Sequence, residues 1–179
     1  MQREASFLRG LVIAAVAWQG LGMGLFRALV EAPAWQHLGA AAWADFSRQA
    51  DLGPGLVIYP VYGIVSWVIV LAAAVLHSLD RKANRAASVP IYLAALFSIV
   101  AAFTTVIAAP TMLSITGIPN GASSIEAAFA RFTLWGVYIR GGAFALSFLA
   151  SLAALVALLQ HGSVRGRMVP RNDRKATAE

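Results

Sequence analysis

Apolar residues occupy four long segments of this chain, at residues 8–30, 55–78, 89–114 and 127–160. A helix needs roughly 20 apolar residues to cross a hydrocarbon core of about 30 Å, and each segment reaches that length. Turn-forming residues, among them Pro33, Pro54 and Pro119, fall in the connections between the segments. The pattern predicts an all-α membrane protein, an antiparallel four-transmembrane-helix bundle in one domain over residues 1–160.

The distribution of lysine and arginine predicts the orientation of these helices. The clusters are Arg3 and Arg9 at the amino terminus, Arg81, Lys82 and Arg85 in the second connection, and Arg165, Arg167, Arg171, Arg174 and Lys175 in the tail. With four spans all three clusters lie on one side, which the positive-inside rule makes cytoplasmic. We therefore expect a multi-pass protein of the plasma (inner) membrane with both termini cytoplasmic and a disordered basic tail at 161–179. A cleaved signal peptide is the alternative for the first segment, but Trp18 and Gln19 favour a retained helix.

Composition agrees with a membrane location. Apolar residues make up 59% of the chain and charged residues 12%, whereas soluble domains have roughly half and a quarter. The chain has no cysteine, which excludes disulfides, iron–sulfur clusters and thiolate metal sites. The net charge of +6 comes from clusters beside apolar segments, so we expect a lipid bilayer and no nucleic acid as partner.

One charge interrupts the fourth segment, namely Arg140 within LWGVYIRGGAFALSFLASLAAL at 134–155. At about 100° per residue, its helix face collects mainly small and polar residues. These are Glu126, Thr133, Gly136, Ala143, Ser147, Ser151 and Ala154. Small residues allow close helix packing in membranes, so we expect the guanidinium to point into the bundle. A functional role is the default for such a residue, and a structural ion pair is the alternative.

The first helix repeats this arrangement. Gly20, Gly24, Arg27 and Glu31 share one face. At about 1.5 Å per residue, Arg27 and Arg140 both fall near the outer edge of the hydrocarbon. We expect Glu31 and Glu126 to neutralise the two arginines there.

The second and third helices also have inward faces of polar and small residues. The second presents Tyr59, Tyr62, Ser66, Ala73 and His77, and the third presents Ser98, Ala101, Thr105, Ala109 and Met112. Together with the two arginines, these faces predict a cationic pocket that opens outward within the bundle.

The first connection predicts an amphipathic helix over residues 34–49. Trp35, Leu38, Ala42 and Phe46 form an apolar stripe along it. Such a helix lies at the membrane interface, over the outer mouth of the bundle. His37 is then a candidate to hang above the pocket, although a surface or packing role is the alternative.

Several classes of function are excluded or weakened. The chain has no phosphate-binding loop, nucleophile elbow or His–Glu metal motif. No histidine pair at i, i+3 or i+4 exists, so we predict no metal site and no cofactor, haem included. The main alternative to a ligand-binding protein is an accessory or structural subunit. Its Gly20–Gly24 and Ser147–Ser151 faces would pack against a membrane partner or a second copy of the chain.

The run LGMGLFRALVEAPAWQHLGAAAWADFSRQADLGPGLVIYPV, and the later AAPTMLSI with an arginine in the fourth helix, resemble the anthrone oxygenase-like family of small membrane proteins. The resemblance implies a four-helix membrane protein that oxygenates an electron-rich aromatic molecule to a quinone without a cofactor. It implies that Arg140 or Arg27 stabilises an oxyanion, and that Tyr59, Tyr62 or His37 exchanges the proton. The sequence departs from the family at Thr111, where asparagine is common, and at Tyr138, where histidine is common.

Overall fold

In a computed structural model the chain is described at residues 2–20, 26–80 and 84–167, with side chains at 7–19, 26–80 and 84–160. The described residues are helical and contain no strand. The α-helices are α1 (Gln2–Gly20), α2 (Ala32–Leu38), α3 (Ala40–Gln49), α4 (Gly55–Leu79), α5 (Arg85–Ser114), α6 (Ser123–Phe132) and α7 (Arg140–Arg167). Two π-helical segments, Arg27–Glu31 and Thr133–Ile139, lead directly into α2 and α7.

Three helical stretches are long and apolar enough to cross a membrane. They are Gly55–Leu79, Arg85–Gly117 and the continuous Ser123–Gln160, and they match the second, third and fourth predicted segments. The first segment differs, because its apolar helix among the described residues, Phe7–Gln19, is shorter. Gly24 and the tail from residue 168 onward lie outside the described residues. Helix α7 extends to Arg167, beyond residue 160, where the fourth segment was predicted to end.

One end of the molecule is held by a cluster of small and aliphatic side chains. Helix α1 packs against α4 and α7, and α5 packs against the same two helices. The cluster joins Leu8, Val12 and Ala15 of α1 to Val70, Ala73 and Ala74 of α4, Ala87, Ile91, Ala94 and Ala95 of α5, and Ala154 and Leu158 of α7. Alanines at these positions bring the helices close, as small residues do in membranes.

Ser147 extends this packing with hydrogen bonds between three helices. Its hydroxyl donates to the Ala94 carbonyl at 3.0 Å and accepts from the Gln19 amide at 3.3 Å. Ser147 and Ser151 are 0% and 3% exposed. The prediction that Ser147 and Ser151 of the fourth helix point inward is therefore confirmed.

The other end carries what we term the cap region, made of α2, α3, residues 115–122 and α6. The predicted helix over 34–49 is interrupted, because Gly39 has φ +92°, which ends α2 and starts α3 in a new direction. The break changes which face is buried. Trp43 lies against Phe129 and Phe132 with ring centroids 5.3 and 5.5 Å away.

The apolar stripe predicted for this helix is divided by the break. Trp35 is buried and its ring lies 5.4 Å from that of Phe46, while Leu38 and Phe46 are exposed on the surface. The face of α3 that is buried within the chain is formed by Trp43, Ala44 and Ser47. The prediction extended one helical period across Gly39, where the helix changes direction.

Arg48 fastens α3 to the loop after α5. Its guanidinium donates to the carbonyl of Ile115 at 3.1 Å, to the carbonyl of Ile118 and to the side-chain oxygen of Asn120. The Asn120 amide in turn donates to Asp45 at 2.8 Å. These bonds hold the segment that ends in Asp51 in one position.

Candidate functional site

A cavity of about 350 Å³ lies between α4, α5 and the helix formed by the second π segment and α7, next to the cap region. Its volume falls within the range of about 300–1,000 Å³ typical of small-molecule sites. Most of the lining is apolar or aromatic, including Trp67, Met112, Phe132 and Phe144. The structure brings five of the predicted site residues to this cavity: Arg27, Tyr59, Tyr62, Thr105 and Arg140.

Arg27 is the centre of an ion cluster at the cap end of the cavity. Its Nε donates to Glu31 at 2.9 Å, one Nη donates to Asp51, and the same Nη lies 3.2 Å from the Tyr59 hydroxyl. The guanidinium carbon lies 5.4 Å from the Trp35 ring centroid and 5.0 Å from that of Tyr59, a cation–π arrangement. The predicted pairing of Arg27 with Glu31 is confirmed.

Asp51 is the site residue that sequence reasoning missed. Its side chain is 2% exposed, and one oxygen binds Arg27 while Oδ2 has no hydrogen-bond partner among the described residues. Asp51 lines the cavity. The one signal in the sequence was its place just before the Gly53–Pro54 turn that begins α4, and a carboxylate in a connection is normally solvated.

Arg140 lies on the α7 wall of the cavity without an acidic partner. Its Nε donates to the Gly136 carbonyl at 3.3 Å, and no carboxylate of the described residues is within 4.0 Å of its guanidinium. The expected pairing of Arg140 with a glutamate is therefore wrong. Its two terminal nitrogens remain available as donors toward the cavity, because no described residue accepts from them.

Glu126 is the glutamate that was expected there, and it is exposed and does not line the cavity. The prediction extended an α-helical period from Arg140 back to Glu126, across the π segment Thr133–Ile139. A π-helix is closed by i→i+5 bonds and turns less per residue than an α-helix. The segment therefore rotates Glu126 away from the inward face.

Both arginines lie at the edge of a π segment. Arg27 begins the first, where its carbonyl accepts from the N–H of Ala32, and Arg140 directly follows the second, where its N–H donates to the Trp135 carbonyl. Such i→i+5 turns are rare and occur frequently at functional sites, where they redirect a side chain. Here they direct two cations toward one cavity.

Two tyrosines line the α4 wall. The Tyr62 ring stacks on Trp18 of α1 at 5.7 Å and lies 6.2 Å from Phe144 of α7. Its hydroxyl donates to the Gln19 carbonyl at 3.3 Å, so it is directed toward α1. The Tyr59 hydroxyl is held at Arg27 instead.

The remaining predicted residues take other positions. His37 is exposed on α2 and does not line the cavity, so it does not hang above the pocket as proposed. Ser66 is 1% exposed within α4, but it does not line the cavity either. Trp35 is buried against Arg27, and Thr105 lines the cavity with its hydroxyl donated to the Ala101 carbonyl at 2.8 Å.

Metal ligands are not grouped at this site. Within residues 2–20, 26–80 and 84–167 there is no cluster of three or more histidine, cysteine, aspartate or glutamate side chains able to hold a metal ion. His77 lies in α4 near its end remote from the cavity, with Nε2 2.9 Å from the Ser88 hydroxyl and its ring edge-on to Tyr92. The chain matches no known protein family, no curated protein and no solved structure.

Proposed function

We propose that this protein is an antiparallel bundle of four transmembrane helices in the plasma (inner) membrane, with both termini cytoplasmic and the cap region outside. Two observations support this topology. Helix α1 packs against two of the three long apolar helices, as a fourth member of a bundle does. Arg9 of α1 and Arg85 of α5, members of two lysine and arginine clusters, also lie beside the cluster around Leu8 and Ala87, at the end remote from the cap region.

We further propose that the cavity binds a flat, apolar aromatic molecule that carries a polar oxygen, and that the protein oxygenates it without a cofactor. Arg140 carries this proposal. A guanidinium without an acidic partner in an apolar cavity is costly, and that cost is offset when a ligand oxygen accepts from it. Such a donor is suited to a substrate whose negative charge develops during the reaction.

Anthrone is a substrate that illustrates the chemistry. The Asp51 carboxylate accepts a proton from the ring methylene, while Arg140 donates to the ring oxygen on which the negative charge collects. The resulting carbanion adds molecular oxygen, and the proton held by Asp51 passes to the peroxide. Loss of the second methylene hydrogen together with the terminal hydroxyl then forms the carbonyl. Anthrone and oxygen thus become anthraquinone and water, with oxygen as the oxidant.

The roles of the chain's own groups follow from their positions. Arg27 binds Asp51 and holds that carboxylate at the cap end of the cavity, which makes Arg27 a positioning residue. The Tyr59 hydroxyl also contacts Arg27, 3.2 Å from the Nη that donates to Asp51. Asp51 replaces His37 and the two tyrosines as the proton acceptor in this proposal, because among the described residues that line the cavity it is the one with a carboxylate.

The accessory-subunit alternative needs an exposed face of small residues. Of the two faces proposed for contact with a partner, the Ser147–Ser151 face is buried within the chain, and Gly24 of the other face lies outside the described residues. This burial favours the ligand-binding proposal.

The test uses purified protein in detergent and the hydroxyanthraquinone dye alizarin, a product-like probe. Binding is followed through quenching of the five tryptophans, and anthrone oxidation through oxygen uptake. We expect Arg140→Leu to weaken alizarin binding about 10- to 100-fold, since a hydrogen bond to a charged group contributes roughly 1.5–3 kcal/mol.

Arg131→Leu is the matched control, because Arg131 is an exposed arginine of α6 that does not line the cavity. It should bind alizarin like the unmodified protein. Circular dichroism and gel filtration of both variants separate loss of binding from misfolding. If the Arg140→Leu protein binds alizarin as tightly as the unmodified protein, the cavity is not a cationic ligand site. If the unmodified protein binds alizarin but shows no anthrone-dependent oxygen uptake, only the proposed oxygenase activity is contradicted.

A further inference from the structure

The cavity has lining residues that are also exposed on the surface, and these mark its mouth. Leu56, Ile64 and Leu113 are 51%, 52% and 53% exposed and line the cavity. Pro60, between the first two along α4, is also exposed and lines it. Leu56, Pro60 and Ile64 are spaced i, i+4, i+8 and form one ridge of α4, facing Leu113 across the gap to α5.

The lining residues on the other described sides of the cavity are buried or covered. At the cap end, Arg27 and Asp51 are 8% and 4% exposed, and Trp35 covers the guanidinium. Toward α1, the Tyr62 ring stacks on Trp18. Among the described residues, the exposed lining side chains are those at the gap between α4 and α5.

This gap lies on membrane-spanning surface. Both helices that form it are long and apolar enough to cross a membrane, and its rim is made of leucine, isoleucine and proline side chains. In hydrocarbon such a rim carries no desolvation cost, whereas water would have to cross an apolar surface to reach the arginines. A ligand that already lies among the acyl chains meets no such barrier.

We infer that the cavity opens sideways into the bilayer between α4 and α5, and that it is loaded with a lipophilic molecule from the hydrocarbon rather than from water. The inference rests on the proposed ligand-binding function and narrows its ligand class to molecules that partition into membranes. The apolar body lies toward the portal, and the polar oxygen lies toward Arg140 and Asp51, at the closed end.

The absence of cysteine from the chain allows a direct test with single introduced cysteines in reconstituted vesicles. A nitroxide is attached to Ala109→Cys, whose side chain lines the cavity from α5. Its collision rates with molecular oxygen, which concentrates in hydrocarbon, and with a water-soluble nickel chelate are measured by electron paramagnetic resonance. Val106→Cys, on the exposed face of α5 at 71% exposure, provides the hydrocarbon reference, and Gly121→Cys in the exposed loop provides the aqueous reference.

We expect the label at position 109 to resemble the Val106→Cys label, with a chelate collision rate at least about fivefold below that of the Gly121→Cys label. A chelate collision rate like that of Gly121→Cys would mean that the cavity opens to water, and it would overturn the inference whether or not alizarin binds.

A second measurement tests loading itself. A bulky maleimide on Ile64→Cys should slow alizarin association from the bilayer at least tenfold. The same label on Val61→Cys, exposed on α4 but not lining the cavity, should leave association unchanged. Unchanged association with the label at position 64 contradicts the portal but leaves the proposed function standing. Failure of the unmodified protein to bind alizarin contradicts the proposed function, and the nitroxide measurement still decides the portal.

Discussion

Arg27 and Asp51 form an ion pair that is almost completely buried. We therefore predict a large loss in the free energy of unfolding when one of the two charges is removed. The side chains are 10% and 2% exposed. Removing one partner of a buried pair typically costs about 3–5 kcal/mol, because the other charge is left without compensation. Arg27 retains Glu31 at 2.9 Å. We therefore expect Asp51→Asn to lower the free energy of unfolding by about 3 kcal/mol, at the low end of that range.

The measurement is unfolding of the purified protein by sodium dodecyl sulfate in mixed micelles, followed by tryptophan fluorescence. Asp45→Asn is the matched control, because Asp45 pairs with Arg48 at 3.3 Å but its side chain is 60% exposed. Exposed pairs contribute only about 0–1 kcal/mol, so the control should lose less than about 1 kcal/mol.

A double substitution distinguishes a broken pair from other damage. Replacing a buried pair by apolar residues of similar volume is often neutral, so Arg27→Met combined with Asp51→Leu should lose less stability than Asp51→Leu alone. Two results would refute the reasoning. One is a loss for Asp51→Asn no larger than that for Asp45→Asn, and the other is strict additivity of the two apolar substitutions, which indicates no coupling between the residues.

Two further predictions use matched variants. A Cβ at Gly55 would lie 2.6 Å from the Tyr59 ring and 2.8 Å from a backbone oxygen. Gly55→Ala should therefore lower the free energy of unfolding by about 1–3 kcal/mol. It should also weaken alizarin binding, because Gly55 and Tyr59 both line the cavity. Gly142→Ala, with no atom within 4 Å of the new Cβ, should do neither, and equal thermal stability of the two variants contradicts the packing. Ser147→Ala should cost about 0.6–1.7 kcal/mol through its interhelical hydrogen bonds. Ser98→Ala removes a buried hydroxyl that has no hydrogen-bond partner among the described residues, so it should leave the free energy of unfolding unchanged or raise it. A larger loss for Ser98→Ala than for Ser147→Ala would show that the hydrogen bonds of Ser147 are not formed.

The local pattern of the sequence was sufficient for the long helices and for their inward faces. Gly55–Leu79 was predicted within one residue at its end, because a bilayer requires a set length of uninterrupted apolar helix. Ser66, Ser147 and Ser151 are buried as the helical period predicts, since in each case the period extends from a neighbour on the same unbroken α-helix.

The site required information that a helical period does not contain. The π segment at 133–139 and the left-handed Gly39 each changed the phase of a helix, and the predictions for Glu126 and Phe46 depended on extending a constant period through them. The π segment has no distinctive local sequence, and Gly39 allows a left-handed backbone without requiring one.

What the sequence alone determined is the class of the protein, its long apolar helices and the arginines that interrupt them, because hydrophobicity and period are local properties of the chain. The tertiary structure decided which carboxylate meets which arginine. Asp51 reaches Arg27 from a connection 24 residues away, and Arg140 is left facing a cavity without an acid among the described residues. Such pairings depend on how the cap region folds over the long helices, and distance along the chain does not encode them.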